Sequence, residues 1–436
     1  MKQHPLRQTL ADELHTRPFH DFEGSGRFLR FIYLHDKGES AILGPVNQWL
    51  EQNGRSPIQE NEKFRRELFD AFALRVERHS EFITIGFVVS REKQKIGLPK
   101  KAFNPDAQPG LPFDLIDEIE VEVFHAIWLE VGANPPAGLT QKKVTDMLEC
   151  RSAASSQITD GMAQAHFSFD IDNKGYSRIM LFNSSKNNDR MGRIVQRVVE
   201  LETYRMLALL GLPLVRDFSS TLGQIERDLQ ALTQAISRNI SSDKEDVGRH
   251  LPVLSRLAAQ IENLTSETSF RLSATKAYRD IFLSRLDSIK VFRLQGHQEI
   301  DGFLDRRMMP AMQTCEAFTF RLESLSKRVE RTGALLQTHT EFVIQRQNTS
   351  LLTSMNSRAS AQFRLQQTVE GLSVIAGTYY GVGLVGIVAK ILPLEAYHLS
   401  LDMIKAGSTP FVALLIFWII RRGSKALGMR RPNPEA

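Results

Sequence analysis

The 436-residue chain contains only two cysteines, Cys150 and Cys315. They lie far apart, with no Cys/His spacing that would hold zinc, so neither a disulfide scaffold nor a zinc module is expected. A reducing cytoplasmic setting is the simpler inference. The G-x-x-x-x-G-K-[ST] phosphate loop, the G-x-S-x-G nucleophile elbow and the H-E-x-x-H helix are also absent. Gly24, Ser25 and Gly26 come before a strand, the reverse of the order a dinucleotide fingerprint needs. The opening stretch MKQHPLRQTLADELHTRP has no apolar h-region, so a cleavable signal peptide is not expected. These absences leave no reaction indicated: the chain reads as a non-enzyme without a cofactor.

Charge is missing over one long interval. Between Glu370 and Lys390 the sequence GLSVIAGTYYGVGLVGIVA is uncharged, and about 20 residues of apolar helix cross ~30 Å of hydrocarbon. Gly371, Gly377, Gly381, Gly383 and Gly386 would weaken a helix in water but ease close helix contact in a bilayer. A second apolar block, Thr409 to Ile420, is closed by Arg421 and Arg422. A transmembrane hairpin is therefore expected over 370–421, with spans at about 371–392 and 406–421. Pro393 and Pro410 stand where a helix would end and restart.

Basic residues are concentrated outside the hairpin: Arg346, Arg358 and Arg364 before it, and the tail 422–436 after it. The positive-inside rule puts both termini in the cytoplasm of a bacterial inner membrane, with a short outer loop carrying Glu395 and Asp402. The net charge of +5 is modest. With the basic tail beside the span, it favours the lipid bilayer over nucleic acid as a partner.

Residues 1–185 alternate β-branched and aromatic runs (Phe28 to Leu34, Phe72 to Val76, Phe82 to Val89, Val121 to Val131, Ala163 to Phe169, Tyr176 to Phe182) with helical pieces at Leu43 to Leu50 and Thr140 to Leu148. This predicts a cytoplasmic α+β domain with a single sheet. The proline-rich stretch Lys93 to Pro112 reads as a mobile surface excursion. Over 186–369 the pattern becomes helical. Leu222, Ile225, Leu229, Leu232 and Ile236 keep steps of three and four, as do Leu254, Leu257, Ile261 and Leu264, and Leu304, Met308, Ala311, Cys315, Phe318, Leu322, Leu325 and Val329. That is the seam of a coiled-coil stalk, and a homo-oligomer is expected to form along it.

Two polar clusters could carry chemistry. In HPLRQTLADELHTRP, an extended backbone puts Glu13, His15 and Arg17 on one side; in ERHSEF it does the same for Glu77, His79 and Glu81, with Arg78 opposite. A histidine between carboxylates can act in acid-base chemistry or ligate a metal, but ion-paired fastening of the N-terminal segment to the sheet is the favoured reading. His125, in an apolar strand, reads as a satisfied core histidine. In the first span, Gly377, Tyr379, Tyr380, Gly381 and Gly383 are the candidates for helix packing or for lining a pore.

The segments HPLRQTLADELHTRP, ERHSEF, GRIVQRVVELETYRMLALLGLP and RLQQTVEGLSVIAGTYYGVGLVG resemble a bacterial domain-of-unknown-function family of membrane-anchored proteins, over nearly the whole chain. That resemblance implies no activity. The plan also resembles, more distantly, the CorA-type metal-ion transporters: a cytoplasmic α/β domain, a stalk helix and two C-terminal spans. Their Tyr-Gly-Met-Asn motif corresponds here to Tyr380 and Gly381 followed by Val382 and Gly383. The expectation is a membrane-anchored oligomer presenting a cytoplasmic interaction or sensing domain. The alternatives are a channel for a divalent cation and, further off, an enzyme using His15 and His79.

Overall fold

The computed structural model describes His4, Arg7 and residues 25–35, 38–91, 102–104, 110–184, 190–241, 248–391 and 400–426. Glu13, His15, Arg17 and Glu395 lie outside the described residues. The chain divides into two compact units, Met1–Ala235 with His250–Gly333, and Ile236–Arg249 with Ala334–Ala436.

The first unit is built on one mixed sheet. Its strands are β1 (Ser25–Leu34), β2 (Phe64–Leu68), β3 (Ala73–Arg78), β4 (Phe82–Arg91), β5 (Val123–Gly132), β6 (Ala154–Ile158), β7 (Ala163–Ile171), β8 (Tyr176–Asn183) and β9 (Phe292–Arg293), in the order β2-β3-β4-β1-β5-β8-β7-β6-β9. Neighbours run antiparallel except β5 and β8, which are parallel. The central strand β1 shows why the sheet is buried on both sides. Phe28 and Ile32 join one core, and Leu29, Phe31 and Tyr33 join the other. Helices α1 (Ser40–Gln52), α2 (Phe113–Asp117) and α3 (Gln141–Leu148) cover the second face. Helices α4 (Met191–Leu209), α6 (Leu251–Ile289) and α7 (Ile300–Arg307) cover the first.

The single sheet and the six strand runs read from the sequence are present, as are both helices. Three strands were not foreseen. β2 (FRREL) and β6 (ASSQI) lack the apolar alternation that marks a strand, and β9 is two residues long. The expected surface excursion at Lys93 to Pro112 also needs correcting. Of its described residues, Phe103 and Leu111 are buried in the second core, because apolar side chains outweigh the proline content there.

The heptad seams are buried inside this one chain. Leu222, Leu229 and Leu232 on α5 (Gly211–Ser241), Leu254, Leu257 and Ile261 on α6, and Cys315, Phe318, Leu322 and Leu325 on α8 (Met309–Ala389) are all buried. Ion pairs tie the helices together: Arg321 to Glu226 at 2.6 Å joins α8 to α5, and Arg279 to Glu316 joins α6 to α8. Helices α5 and α6 cross where Gly211 meets Thr275; a Cβ on Gly211 would fall 2.4 Å from the threonine hydroxyl oxygen.

In the second unit, the Ala334–Ala389 part of α8 and helix α9 (Leu401–Ala426) form a helical pair. Both contain stretches long and apolar enough to cross a membrane, and only 11% and 0% of those stretches are buried. Pro410, expected to start the second helix, instead lies inside α9, which begins at Leu401. A proline costs a helix one backbone hydrogen bond, and hydroxyls can compensate in the turn before it. The carbonyl that Pro410 leaves free is that of Ala406, while Ser408 and Thr409 both donate to the adjacent Lys405 carbonyl.

The Gly211 contact gives a direct test. Gly211→Ala is expected to destabilise the protein by about 1 to 3 kcal/mol through overpacking, and adding Thr275→Ala should recover part of the loss. Thermal unfolding of the two variants checks this, and an unchanged midpoint for Gly211→Ala would remove the close approach.

Candidate functional site

The motif ERHSEF straddles the turn between β3 and β4. Glu77, in β3, sits on the first-core face next to Arg75 and across from Arg30 of β1; its Oε1 accepts from Arg30 at 3.1 Å and from Arg75 at 3.3 Å. His79 Nε2 lies 3.6 Å from the other Glu77 oxygen, and its ring stacks on Phe82 with centroids 4.0 Å apart. Arg78 points to the opposite face, where it pairs with Glu39 and donates to the Gln59 carbonyl at 3.1 Å. Extended backbone ends at Arg78, so period two does not carry on to Glu81. Glu81 instead accepts from Tyr278 of α6 and pairs with Arg271 at 3.4 Å.

Electrostatics fix the state of this cluster. Burial alone would raise the Glu77 pKa, but the charge of Arg30, the neighbouring His79 imidazole and the charge of Arg75 outweigh it and hold the carboxyl well below its usual value. Burial brings the Arg75 guanidinium down to about 10, against the pull of Glu77. Burial and the bond to Glu81 push the Tyr278 phenol up, so it stays protonated and donating. A carboxylate clamped by two guanidiniums at neutral pH is a poor proton shuttle and a good cross-brace between strands.

Three further buried polar groups were not singled out from the sequence. Glu130 Oε1 accepts from Arg27 at 2.7 Å, from the Trp128 indole at 2.8 Å and from the Phe103 amide at 3.2 Å, and burial raises its pKa despite Arg27. Glu202 of α4 receives Arg205 at 2.7 Å, Ser177 at 2.8 Å and His125 Nε2 at 3.2 Å. Burial opposes its charge, but Arg205 and then His125 keep it far below the usual carboxylate range. His166 of β7 is fully buried, with Nδ1 2.8 Å from the Ser155 hydroxyl and its ring 6.1 Å from that of His297. Burial, with His297 second, lowers its pKa to about 3. The available signal was a charge or histidine inside an otherwise apolar run, as in HAIWLEVG and VVELETY.

In the second unit the glycines divide into two sets. Gly377 and Gly381 pack on Ile416 and Val412 of α9, with Cβ positions 3.1 and 2.5 Å from those side chains, so the small-xxx-small pair serves contact within the chain. Gly386 seats the Lys405 stem in the same way, at 2.6 Å. Among the described residues no atom lies within 4 Å of a Cβ built on Gly383, and Tyr379 and Tyr380 are exposed, their rings edge to face at 5.6 Å. These residues, with Lys405 and Thr409, line an open cavity of about 660 Å³. Asp402 is exposed in the first turn of α9. Among the described residues, no group of three or more His, Cys, Asp or Glu side chains is arranged to hold a metal ion.

Stability should fall in acid in two stages. His166 is held below its ordinary 6.5, so the unfolded chain takes up that proton first and stability is lost from pH 6.5 down towards about 3. Glu77 and Glu202, held below 4.5, add a second loss as pH drops through their folded values, while Glu130 works in the opposite sense. Glu77→Gln is expected to cost about 3 to 5 kcal/mol at neutral pH by stranding two buried guanidiniums and to flatten the slope below pH 4.5. Urea titrations across pH check both, and a wild-type slope in the variant would contradict the Glu77 assignment.

No curated protein and no solved structure matches the chain. A family model described as "Protein of unknown function (DUF3422)" matches residues 2–427, so nearly the whole chain is covered and the protein belongs to that family.

Proposed function

We propose that this is an inner-membrane protein, anchored by α9 and the end of α8, that assembles with further copies of itself and presents its α+β unit to the cytoplasm for interaction or sensing. The observation that carries the proposal is the exposure of the two apolar stretches: Ile375, Leu384, Ile391, Phe411 and Leu414 are each more than 60% open, and nothing in the described chain covers them. Arg421 and Arg422 lie over Phe417 and Trp418, with guanidinium-to-ring distances of 5.6 and 4.8 Å, the aromatic-basic pairing expected where a span meets headgroups. Both termini on the cytoplasmic side follows from the positive flanks.

Self-association is supported by the stretch of α8 that leads into the span. Ile344, Leu351, Met355, Leu365, Val369 and Leu372 recur at heptad-compatible spacings on an exposed helix. The buried seam further back is already filled by the same chain, so a subunit contact belongs here. Cation conduction draws less support, since the cavity beside Tyr379 and Tyr380 is lined by a lysine.

Replacing Cys150 and Cys315 by serine and introducing Leu351→Cys or Leu365→Cys tests this in native membranes. Oxidation should give a disulfide-linked dimer that resists carbonate extraction. Monomer alone at both positions would sink the self-association, and release of the protein by carbonate would sink the anchor.

A further inference from the structure

His166 and His297 come from distant parts of the chain and meet at the edge of the sheet. His166 lies in β7. His297 lies in the short connection between α6 and α7, and that connection is tied down on both sides of it. Before it, β9 pairs with β6 through Ser156 with Arg293 and Gln157 with Phe292. After it, the Ser155 amide donates to the Gln298 carbonyl at 2.7 Å, the Gln298 amide donates to the Gln141 side chain at 3.2 Å, and the Ile300 amide donates to the Ser156 hydroxyl at 3.1 Å. The two rings are thus held by the β6 edge, with centroids 6.1 Å apart and planes at 60°.

The hydrogen bonds set the chemistry of each ring. His297 Nδ1 lies 3.1 Å from the Gln295 carbonyl oxygen, which can only accept, so Nδ1 carries the proton and Nε2 presents a lone pair. His166 Nδ1 is held by the Ser155 hydroxyl at 2.8 Å, which allows the same tautomer. In both residues Nε2 is buried and makes no hydrogen bond to any described residue. A buried polar atom left unbonded is uncommon and calls for a partner. An imidazole whose Nδ1–H is held by a carbonyl or hydroxyl while Nε2 stays bare is the usual arrangement of a histidine metal ligand.

We propose that His166 and His297 form a two-imidazole site for a borderline-soft divalent transition metal such as zinc or copper, with water completing the coordination. Two Nε2 ligands at ~2.1 Å and a tetrahedral angle put ring centroids roughly 5.2 Å apart. The observed centroid separation of 6.1 Å lies within about 1 Å of that value. His297 supplies the entry path, because it is only partly buried while His166 is fully buried. The metal would join the α6–α7 connection to the sheet, bracing β9 against β6. A single water donating to both Nε2 atoms would satisfy the same lone pairs, and it is the alternative that the experiment must separate.

The test uses tag-free, full-length protein in detergent, stripped of metal and titrated with Zn²⁺ by calorimetry and with Cu²⁺ by electron paramagnetic resonance. Wild type should bind one equivalent per chain, with nitrogen hyperfine structure from imidazole ligands. His297→Ala and His297→Gln should each weaken binding at least about tenfold and reduce the nitrogen coupling, while leaving metal-free thermal unfolding unchanged. His339→Ala, a control in the second unit, should behave as wild type. Isotherms for both His297 variants that overlay the wild type, or a wild type that binds neither metal, would overturn the proposal and leave the water-bridged pair.

Discussion

The constraint on which most of this structure depends is the cover available to the apolar surface of α8. Up to Leu336 its seam is buried by helices of the same chain. Beyond that point Phe342, Leu351, Leu352, Leu365, Leu372 and Ile375 are exposed by more than half. Each Å² of such surface left in water forgoes about 25 cal/mol, and an isolated helix draws most of its stability from packing rather than propensity. A helix of this composition therefore needs lipid or a second helix along its exposed length. The same residue types that fold the first unit leave apolar surface open on the second, and that surface is what the proposed anchor and self-association would cover.

Within the first unit the main cost is burying charge. Glu77, Glu130 and Glu202 are each almost fully enclosed, and each is met by an arginine and by further donors. Strands pinned by such groups are fixed in register, because removing one partner leaves another buried and unpaired. This also explains why the ERHSEF cluster looks catalytic in sequence and closed in structure. Its carboxylates are engaged by Arg30, Arg75, Arg271 and Tyr278, which brace strand to strand and sheet to α6, while Glu13, His15 and Arg17 of the N-terminal segment that the fastening reading concerns lie outside the described residues.

Much of the fold could be read from residue patterns, and the limits of that reading have physical causes. Apolar alternation in FLRFIYL and FITIGFVV marks β1 and β4 because the side-chain period survives in the sequence. β2 and β6 lie near the sheet's ends and are largely polar, so they carry no such signal. Heptad spacing located the helices but could not say whose surface fills the seam, since an intrachain bundle and an oligomer need the same periodicity. Likewise Gly377 and Gly381 were legible as a close helix contact, while their partners Val412 and Ile416 were not. The pairing of His166 with His297 had no sequence signal: the two residues are brought together by the two-residue strand β9 docking on β6 and by the hydrogen bonds of Gln298 and Ile300 that follow it.

The most direct measurement is the sidedness of the connection between α8 and α9. In protein lacking its two native cysteines, Ser400→Cys should react with a membrane-impermeant maleimide in intact cells. Glu330→Cys should react only after the membrane is opened. Equal labelling of both positions in intact cells, or protection of Ser400→Cys until permeabilisation, would contradict a hairpin that crosses the inner membrane with both ends in the cytoplasm.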